Sequence, residues 1–170
     1  MTEPRRRKTG SKPIESITFD EIDRRILEIL QDDSDTPVQA ISDAVGLSAN
    51  PCWRRIKRME EAGVIKKRVA LVDQARANVP LTVFIGVSTS HHEIDWLHRF
   101  RDLIDEIPEV VEAYRLTGTV DYILKVVVPD MATYDSVYKQ MIQKLEFSQV
   151  NSMISMEELK FTTAIPTTYL

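Results

Sequence analysis

Apolar residues recur every three or four positions from about residue 20 to residue 60, and beyond residue 80 they begin to alternate, so two rhythms divide the chain. Ile22, Ile26, Ile29 and Leu30 share one helical face, and Asp20 stands where it can cap the first turn, which predicts a helix ending near Gln31. A second start follows at Thr36-Pro37-Val38-Gln39: Thr36 as N-cap, Pro37 at the first helical position and Gln39 three residues after the cap form a capping-box pattern. This helix is expected to bury Val38, Ile41 and Val45 and to stop at Gly46, the residue best able to take the left-handed conformation of a tight turn. Only Leu47 separates it from Ser48, the expected cap of a third helix in which Cys52, Ile56 and Met59 point inward and which Gly63 ends. Two helices joined by a short glycine-containing turn are a helix-turn-helix candidate. The segment Val64–Val72 is expected as a strand, with Lys66, Lys67 and Arg68 at its start, and would form a wing.

The second rhythm predicts strand Leu81–Thr89, helix Glu93–Glu106, strands Val110–Leu116 and Asp121–Val128, helix Met131–Leu145 and strand Val150–Met156. The order βαββαβ is that of the ferredoxin-like split unit, an antiparallel sheet with both helices on one face. The expected fold class is therefore α+β: an N-terminal winged helix-turn-helix followed by a ferredoxin-like βαββαβ domain. The boundaries read as a disordered basic tail over 1–17, the helix-turn-helix over 18–73, a linker marked by Asn78 and Pro80 over 74–80, and the sheet domain over 81–170. Both faces of the first strand are rather apolar, so the face without helices needs a cover, for which a second subunit is the natural choice.

Charge sharpens this division. Residues 1–76 hold 15 Lys/Arg against 13 Asp/Glu, and the remainder 7 against 13, so a net +2 part precedes a net −6 part although the whole chain is −4. Such asymmetry predicts a polyanion-facing first domain and an acidic second one. The single Cys52 excludes an intrachain disulfide and a multi-cysteine metal site, and it reads as a small buried hydrophobe. No stretch approaches the roughly 20 apolar residues of a membrane-spanning helix, which fits a cytoplasmic protein.

The third helix carries the chemistry. With Cys52, Ile56 and Met59 turned inward, its other faces display Asn50, Pro51, Trp53, Arg54, Arg55, Lys57 and Arg58 after the cap Ser48, and Lys66, Lys67 and Arg68 follow. A helix N-terminus can receive a phosphate on its free amides, and side chains such as Asn50 and Arg54 can reach base edges in a major groove. The same charges also fit a solvated helix face, and Trp53 fits equally well packed against the first helix or laid along a nucleic-acid backbone.

These residues resemble a known family. Phe19-Asp20-Glu21-Ile22-Asp23-Arg24-Arg25-Ile26-Leu27, Val45-Gly46-Leu47-Ser48, Pro51-Cys52-Trp53-Arg54-Arg55-Ile56-Lys57-Arg58-Met59-Glu60 and Gly63-Val64-Ile65 are similar to the DNA-binding half of the Lrp/AsnC (feast/famine) regulators. Gly118-Thr119-Val120-Asp121-Tyr122, Val128-Pro129-Asp130-Met131 and Met156-Glu157-Glu158 resemble the same family's C-terminal regulation-of-amino-acid-metabolism (RAM) domain, and the likeness runs from about Ile17 to Ile165. It implies a nucleoid-associated transcription regulator that binds double-stranded promoter DNA at pseudo-palindromic sites, pairs through its sheets into a homodimer, often assembles into tetramers or octamers, and answers to an amino acid, with no other cofactor. The implied effector site lies between dimers, at Leu116, Thr117, Gly118, Thr119, Asp121 and Tyr122, with Met131 and Tyr134 on the following helix and Ser152, Ile154 and Met156 on the last strand. Gly118 would let backbone amides approach a carboxylate, and Asp121 could accept hydrogen bonds from an ammonium group. The same two residues also suit a plain hairpin turn, and Met131 suits a core. Asn151, Ser152 and Ser155 make the last strand more polar than the family pattern, which argues against a strongly apolar effector such as leucine.

An enzyme is the competing expectation, since haem-pathway decarboxylases also look like Lrp/AsnC proteins. The residues favour a non-enzyme. His91, His92 and His98 show neither metal-ligand spacing nor a nucleophile–base pair, and the first two read as exposed loop residues. Glu157 and Glu158 read as strand-end charges, and there is no glycine-rich phosphate loop.

Overall fold

The computed structural model describes residues 18–91 and 93–170, so the basic tail expected over 1–17 and the loop position His92 lie outside the described residues. The chain forms two compact units: the residues up to Ala70 together with Phe161–Leu170, and Leu71–Lys160.

In the first unit α1 (Glu21–Asp32), α2 (Val38–Val45) and α3 (Ala49–Glu61) enclose a core of Ile26, Leu27, Ile41, Val45, Cys52, Ile56 and Met59. Asp20 closes a capping box on α1: its carboxylate accepts the Asp23 N–H at 2.9 Å, and the Asp23 carboxylate accepts the Asp20 N–H at 3.2 Å. The first of these bonds, and then the Arg55 guanidinium, hold the Asp20 carboxyl below the ordinary carboxylate range. A depressed folded-state pKa stabilises above the unfolded value of about 3.9, and the contribution fades as pH falls through the folded pKa. Asp20→Asn keeps a capping oxygen and removes the charge. It is expected to lower the thermal midpoint at pH 7, with the gap from the unaltered chain closing below about pH 4, as circular dichroism melts across pH would show.

The start of α2 differs from the expected capping box. Pro37 is the N-cap, and no side chain caps the helix. The Thr36 hydroxyl turns back to the Asp33 carbonyl at 2.9 Å, and Gln39 donates forward to Asp43 at 2.9 Å, so nearer acceptors take both groups. Gly46 ends α2 at φ +71°, as the turn requires, and Ser48 stands at the N-cap of α3 without a side-chain capping bond. After α3 the N–H groups of Val64 and Ile65 both donate to the Met59 carbonyl. The segment Val64–Val72, expected as a strand, joins no ladder, and Val69, Leu71 and Val72 are exposed. A strand needs a hydrogen-bonding neighbour, and the described chain supplies none here.

Residues 161–170, which the sequence pattern left with the sheet domain, run along α1 instead. Gln31 donates to the Ile165 carbonyl (3.1 Å) and accepts the Ile165 N–H (2.8 Å). The buried Thr167 gives its hydroxyl to Glu28 at 2.7 Å, Arg24 donates to the Leu170 carbonyl oxygen, and Leu170 packs on the core. Positions 24, 28 and 31 form one stripe of α1, so that helix is gripped on a face other than its core stripe. The expected domain limits change accordingly: the first unit regains the last ten residues, and the expected linker 74–80 falls inside the second unit, where Gln74 accepts a bond from Thr82.

The second unit follows the expected βαββαβ order: β1 (Leu81–Ser88), α4 (Ile94–Glu106), β2 (Val110–Arg115), β3 (Tyr122–Val128), α5 (Met131–Lys144) and β4 (Gln149–Ile154). The sheet runs β2-β3-β1-β4 with every pair antiparallel. Val83 faces Val126, Ile85 faces Leu124 and Val87 faces Tyr122, so one face of the central pair is uniformly apolar and fully covered. Trp96 and Phe100 of α4 stack at 5.1 Å, and Phe100 meets the Tyr122 ring at 4.8 Å. On the opposite face Phe84 lies between Lys125 and Met153 in the sheet register, and Tyr114 and Met153 are exposed.

Candidate functional site

The outward surface of α3 is set by what its inner stripe does. Cys52, Ile56 and Met59 are at most 2% exposed, which turns Asn50, Trp53, Arg54 and Lys57 to solvent, with Ser48 exposed just before them and Pro51 half-buried in the first turn. Trp53 is half exposed, which excludes it from the core. Burial among these apolar groups pushes the Cys52 thiol up, in keeping with a packing role.

The cations of this region fall into two groups. Arg54, Lys66 and Lys67 make no ion pair among the described residues. The others are engaged. Arg55 bonds to both Asp20 (2.8 Å) and Asp23 (2.9 Å), and Arg58 bonds to Asp23 at 2.6 Å. Lys57 bonds to Glu60 at 2.6 Å, and Arg68 reaches Glu60 and the Ser34 carbonyl. The bond to Asp23, and then that to Asp20, push the Arg55 guanidinium above its ordinary pKa, while Lys57 and then Arg68 hold Glu60 below its own. The basic face read from the sequence is thus partly neutralised by carboxylates of its own unit. Sequence reading missed Asp23 as their anchor. Its only signal was an aspartate three residues after a capping aspartate at the start of an amphipathic helix.

The turn between β2 and β3 holds the second group of candidate residues. Leu116, Thr117, Gly118 and Thr119 are exposed, and Gly118 sits at φ +121°, a conformation that favours glycine. Val120 folds back over Gly86 of β1, where an added Cβ would lie 3.3 Å from it. The Asp121 carboxylate accepts the Thr89 N–H at 2.8 Å, its carbonyl closes the hairpin by accepting the Leu116 N–H, and its own N–H donates to Val87 of β1. The Tyr122 ring is buried against Trp96 and Phe100, because the residue alternates inward from the turn. Met131 is exposed at the start of α5, which Asp130 caps through the Thr133 N–H at 2.8 Å; that bond holds the Asp130 carboxyl low. Tyr134 and Ser152 share a hydrogen bond through their hydroxyls, and burial raises the Tyr134 pKa. Ile154 and Met156 are exposed. The structure therefore brings Tyr134 to Ser152 and Asp121 to Thr89, and leaves the turn as an open wall. A cavity of about 480 Å³ lies elsewhere in this unit, against His91, Tyr138, Ile142, Glu146 and Phe147, and includes none of the expected effector residues. There His91 approaches the carboxylates of Glu93 and Glu146, each at 3.7 Å.

A helix-turn-helix with a polar, partly cationic third helix, carried on the same chain as a ferredoxin-like sheet unit, defines a two-part DNA-binding regulator. Residues 19–66 match the winged helix-turn-helix DNA-binding family, and residues 82–165 match the Lrp/AsnC ligand binding domain. The glutamate uptake regulatory protein of Zymomonas mobilis is 42% identical over 148 residues, 87% of this chain and 90% of that protein. A crystal structure of an AsnC family transcriptional regulator from Agrobacterium tumefaciens is 52% identical, with a TM-score of 0.86 over 89% of this chain and 99% of that one. A transcriptional regulator from Neisseria meningitidis, solved as an L-Met complex, is 31% identical with a TM-score of 0.85 over the same shares. The chain belongs to the Lrp/AsnC family of transcriptional regulators.

Proposed function

We propose that this chain is a homodimeric regulator without catalytic activity that reads promoter DNA with the outward face of α3 and answers to an amino acid held at the β2–β3 turn. The observation that carries the reading is Arg54, which has no ion-pair partner among the described residues, beside exposed Asn50 and Trp53 on a helix whose inner stripe is fully buried. Lys66 and Lys67, both exposed, supply phosphate contacts, and Ser48 and Pro51 bring the α3 N-terminus against the backbone. The effector contacts are Thr117, Gly118, Thr119 and Asp121 on the turn, with Leu116, Met131, Tyr134, Ser152, Ile154 and Met156 around them, and Tyr122 supports the turn from the core. The hydroxyl pair of Tyr134 and Ser152 favours a ligand with a polar group, and the Zymomonas and Neisseria relatives support the amino-acid class. The open sheet face around Phe84, Tyr114 and Met153 pairs two subunits, and dimers associate further around the turns. The helix-turn-helix unit favours this reading over a decarboxylase-type enzyme and supports a role on the nucleoid of the cytoplasm.

Footprinting on the region upstream of the protein's own gene, with each amino acid added in turn, tests both halves. The expected result is protection repeating about every 10 base pairs, weakened by salt and shifted or released by one amino acid. Protection unmoved by every amino acid would overturn the sensor half. Absence of any bound sequence in genome-wide site selection would overturn the DNA half.

A further inference from the structure

Asp23 is the most buried charged residue described, at 1% exposure, and two arginines from a different helix converge on it. Its Oδ1 accepts Arg55 Nη1 at 2.9 Å, and its Oδ2 accepts Arg58 Nη2 at 2.6 Å and the Asp20 N–H at 3.2 Å. Asp20 adds a second carboxylate to Arg55 at 2.8 Å. A carboxylate removed from water is costly unless its lone pairs are met, and here each oxygen has a charged donor. Buried ion pairs are a weak source of net stability, and their best-attested use is to fix how two elements register.

The geometry suits that use. Arg55 and Arg58 are three residues apart and so share one flank of α3, between the buried stripe and the outward face. Two guanidiniums bound to one carboxylate at the start of α1 constrain both the rotation of α3 about its axis and its slide along α1. Successive helical residues point about 100° apart, so this rotation decides whether Arg54 or Arg55 faces outward. In the observed setting Arg54 does, and it has no ion-pair partner among the described residues.

We propose that Asp23 is a positioning residue for DNA binding: it holds Arg55 and Arg58 off the nucleic acid, fixes the rotation of α3, and leaves Arg54 as the arginine of that helix that meets DNA. This rests on the reading of the outward face of α3 as the DNA-contacting surface. The opposite possibility has a distinct sign. If the three arginines all served as phosphate contacts and Asp23 merely dampened them, removing its charge would tighten binding and steepen its salt dependence.

The experiment is the affinity of the full-length protein for a long mixed-sequence duplex as a function of salt, in which each lost phosphate contact lowers the log–log slope by about 0.9. On such non-specific DNA Arg54 rests on phosphate whatever base it reads in a specific site, so Arg54→Ala is expected to lower the slope by about that amount, and Arg58→Gln and Arg55→Gln to leave it unchanged. Asp23→Asn should bind several-fold more weakly with no steeper slope, and Asp23→Glu, which keeps the carboxylate, should recover part of the loss. Tighter binding or a steeper slope in Asp23→Asn would overturn the proposal. So would a slope lowered by about 0.9 in Arg58→Gln, a variant whose half-exposed side chain makes it tolerable to folding should Asp23→Asn not fold. An unchanged slope in Arg54→Ala, by contrast, would fault the assignment of the α3 surface itself.

Discussion

Phe100→Ala is expected to destabilise the second unit by about 3–5 kcal/mol, the range for deleting a fully buried aromatic side chain. Phe100 is 2% exposed, stacked on Trp96 at 5.1 Å, tilted against Tyr122 at 4.8 Å and edge-on to Phe147 at 6.2 Å. These rings join α4 to the first residue of β3, immediately after the turn that carries Gly118. The void would therefore open beneath the candidate effector turn. The two tryptophans of the chain fall one in each unit, so a Trp53→Phe background leaves Trp96 as a fluorescent reporter beside the lesion. Denaturant unfolding followed through Trp96 should show a lower midpoint, and a shift under about 1 kcal/mol would mean that the cluster collapses around the void rather than holding its shape.

Arg54→Ala is expected to weaken binding to the specific site by about 1–3 kcal/mol, roughly 5- to 150-fold, and to relax the preference at the base pair it reads. The basis is the division among the cations: Arg55, Lys57, Arg58 and Arg68 already face carboxylates, and among the described residues Arg54 does not. A phosphate-contacting lysine such as Lys66 behaves differently, since its loss weakens all sequences alike. Titration of a selected operator and of single-base variants separates the two. Equal loss across all variants would move Arg54 from base reading to backbone contact.

Much of this architecture was legible in the residues, for identifiable reasons. Helices α1 and α3 follow from apolar periodicity, and the ends of α2 and α3 from Gly46 and Gly63, which favour the positive φ observed there. The β-strands of the second unit follow from alternation, so the βαββαβ order emerged with ends shifted by no more than two residues. The misses concern partners distant along the chain. Whether Val64–Val72 forms a strand depends on a neighbour, and whether Arg55 faces solvent depends on an aspartate 32 residues earlier. Thr36 failed as a cap because the Asp33 carbonyl lay closer. That the Tyr122 ring turns inward follows from the alternation of β3, which its place in a motif does not reveal.

The path of residues 161–170 gives the chain a threaded order: it builds most of the first unit, completes the second, and returns to finish the first. A DNA-binding fragment ended at Ala70 is consequently an incomplete object. It lacks Ile165, Thr167 and Leu170, to which Gln31, Glu28 and Arg24 respectively bond in the whole protein. A single backbone cleavage in the stretch between α3 and β1 would likewise sever the covalent link without releasing α1 from the returning segment. The halves of the gene and the halves of the protein do not coincide, so recombination that exchanges sensor domains between relatives at one crossover carries the neighbour's closing segment with it.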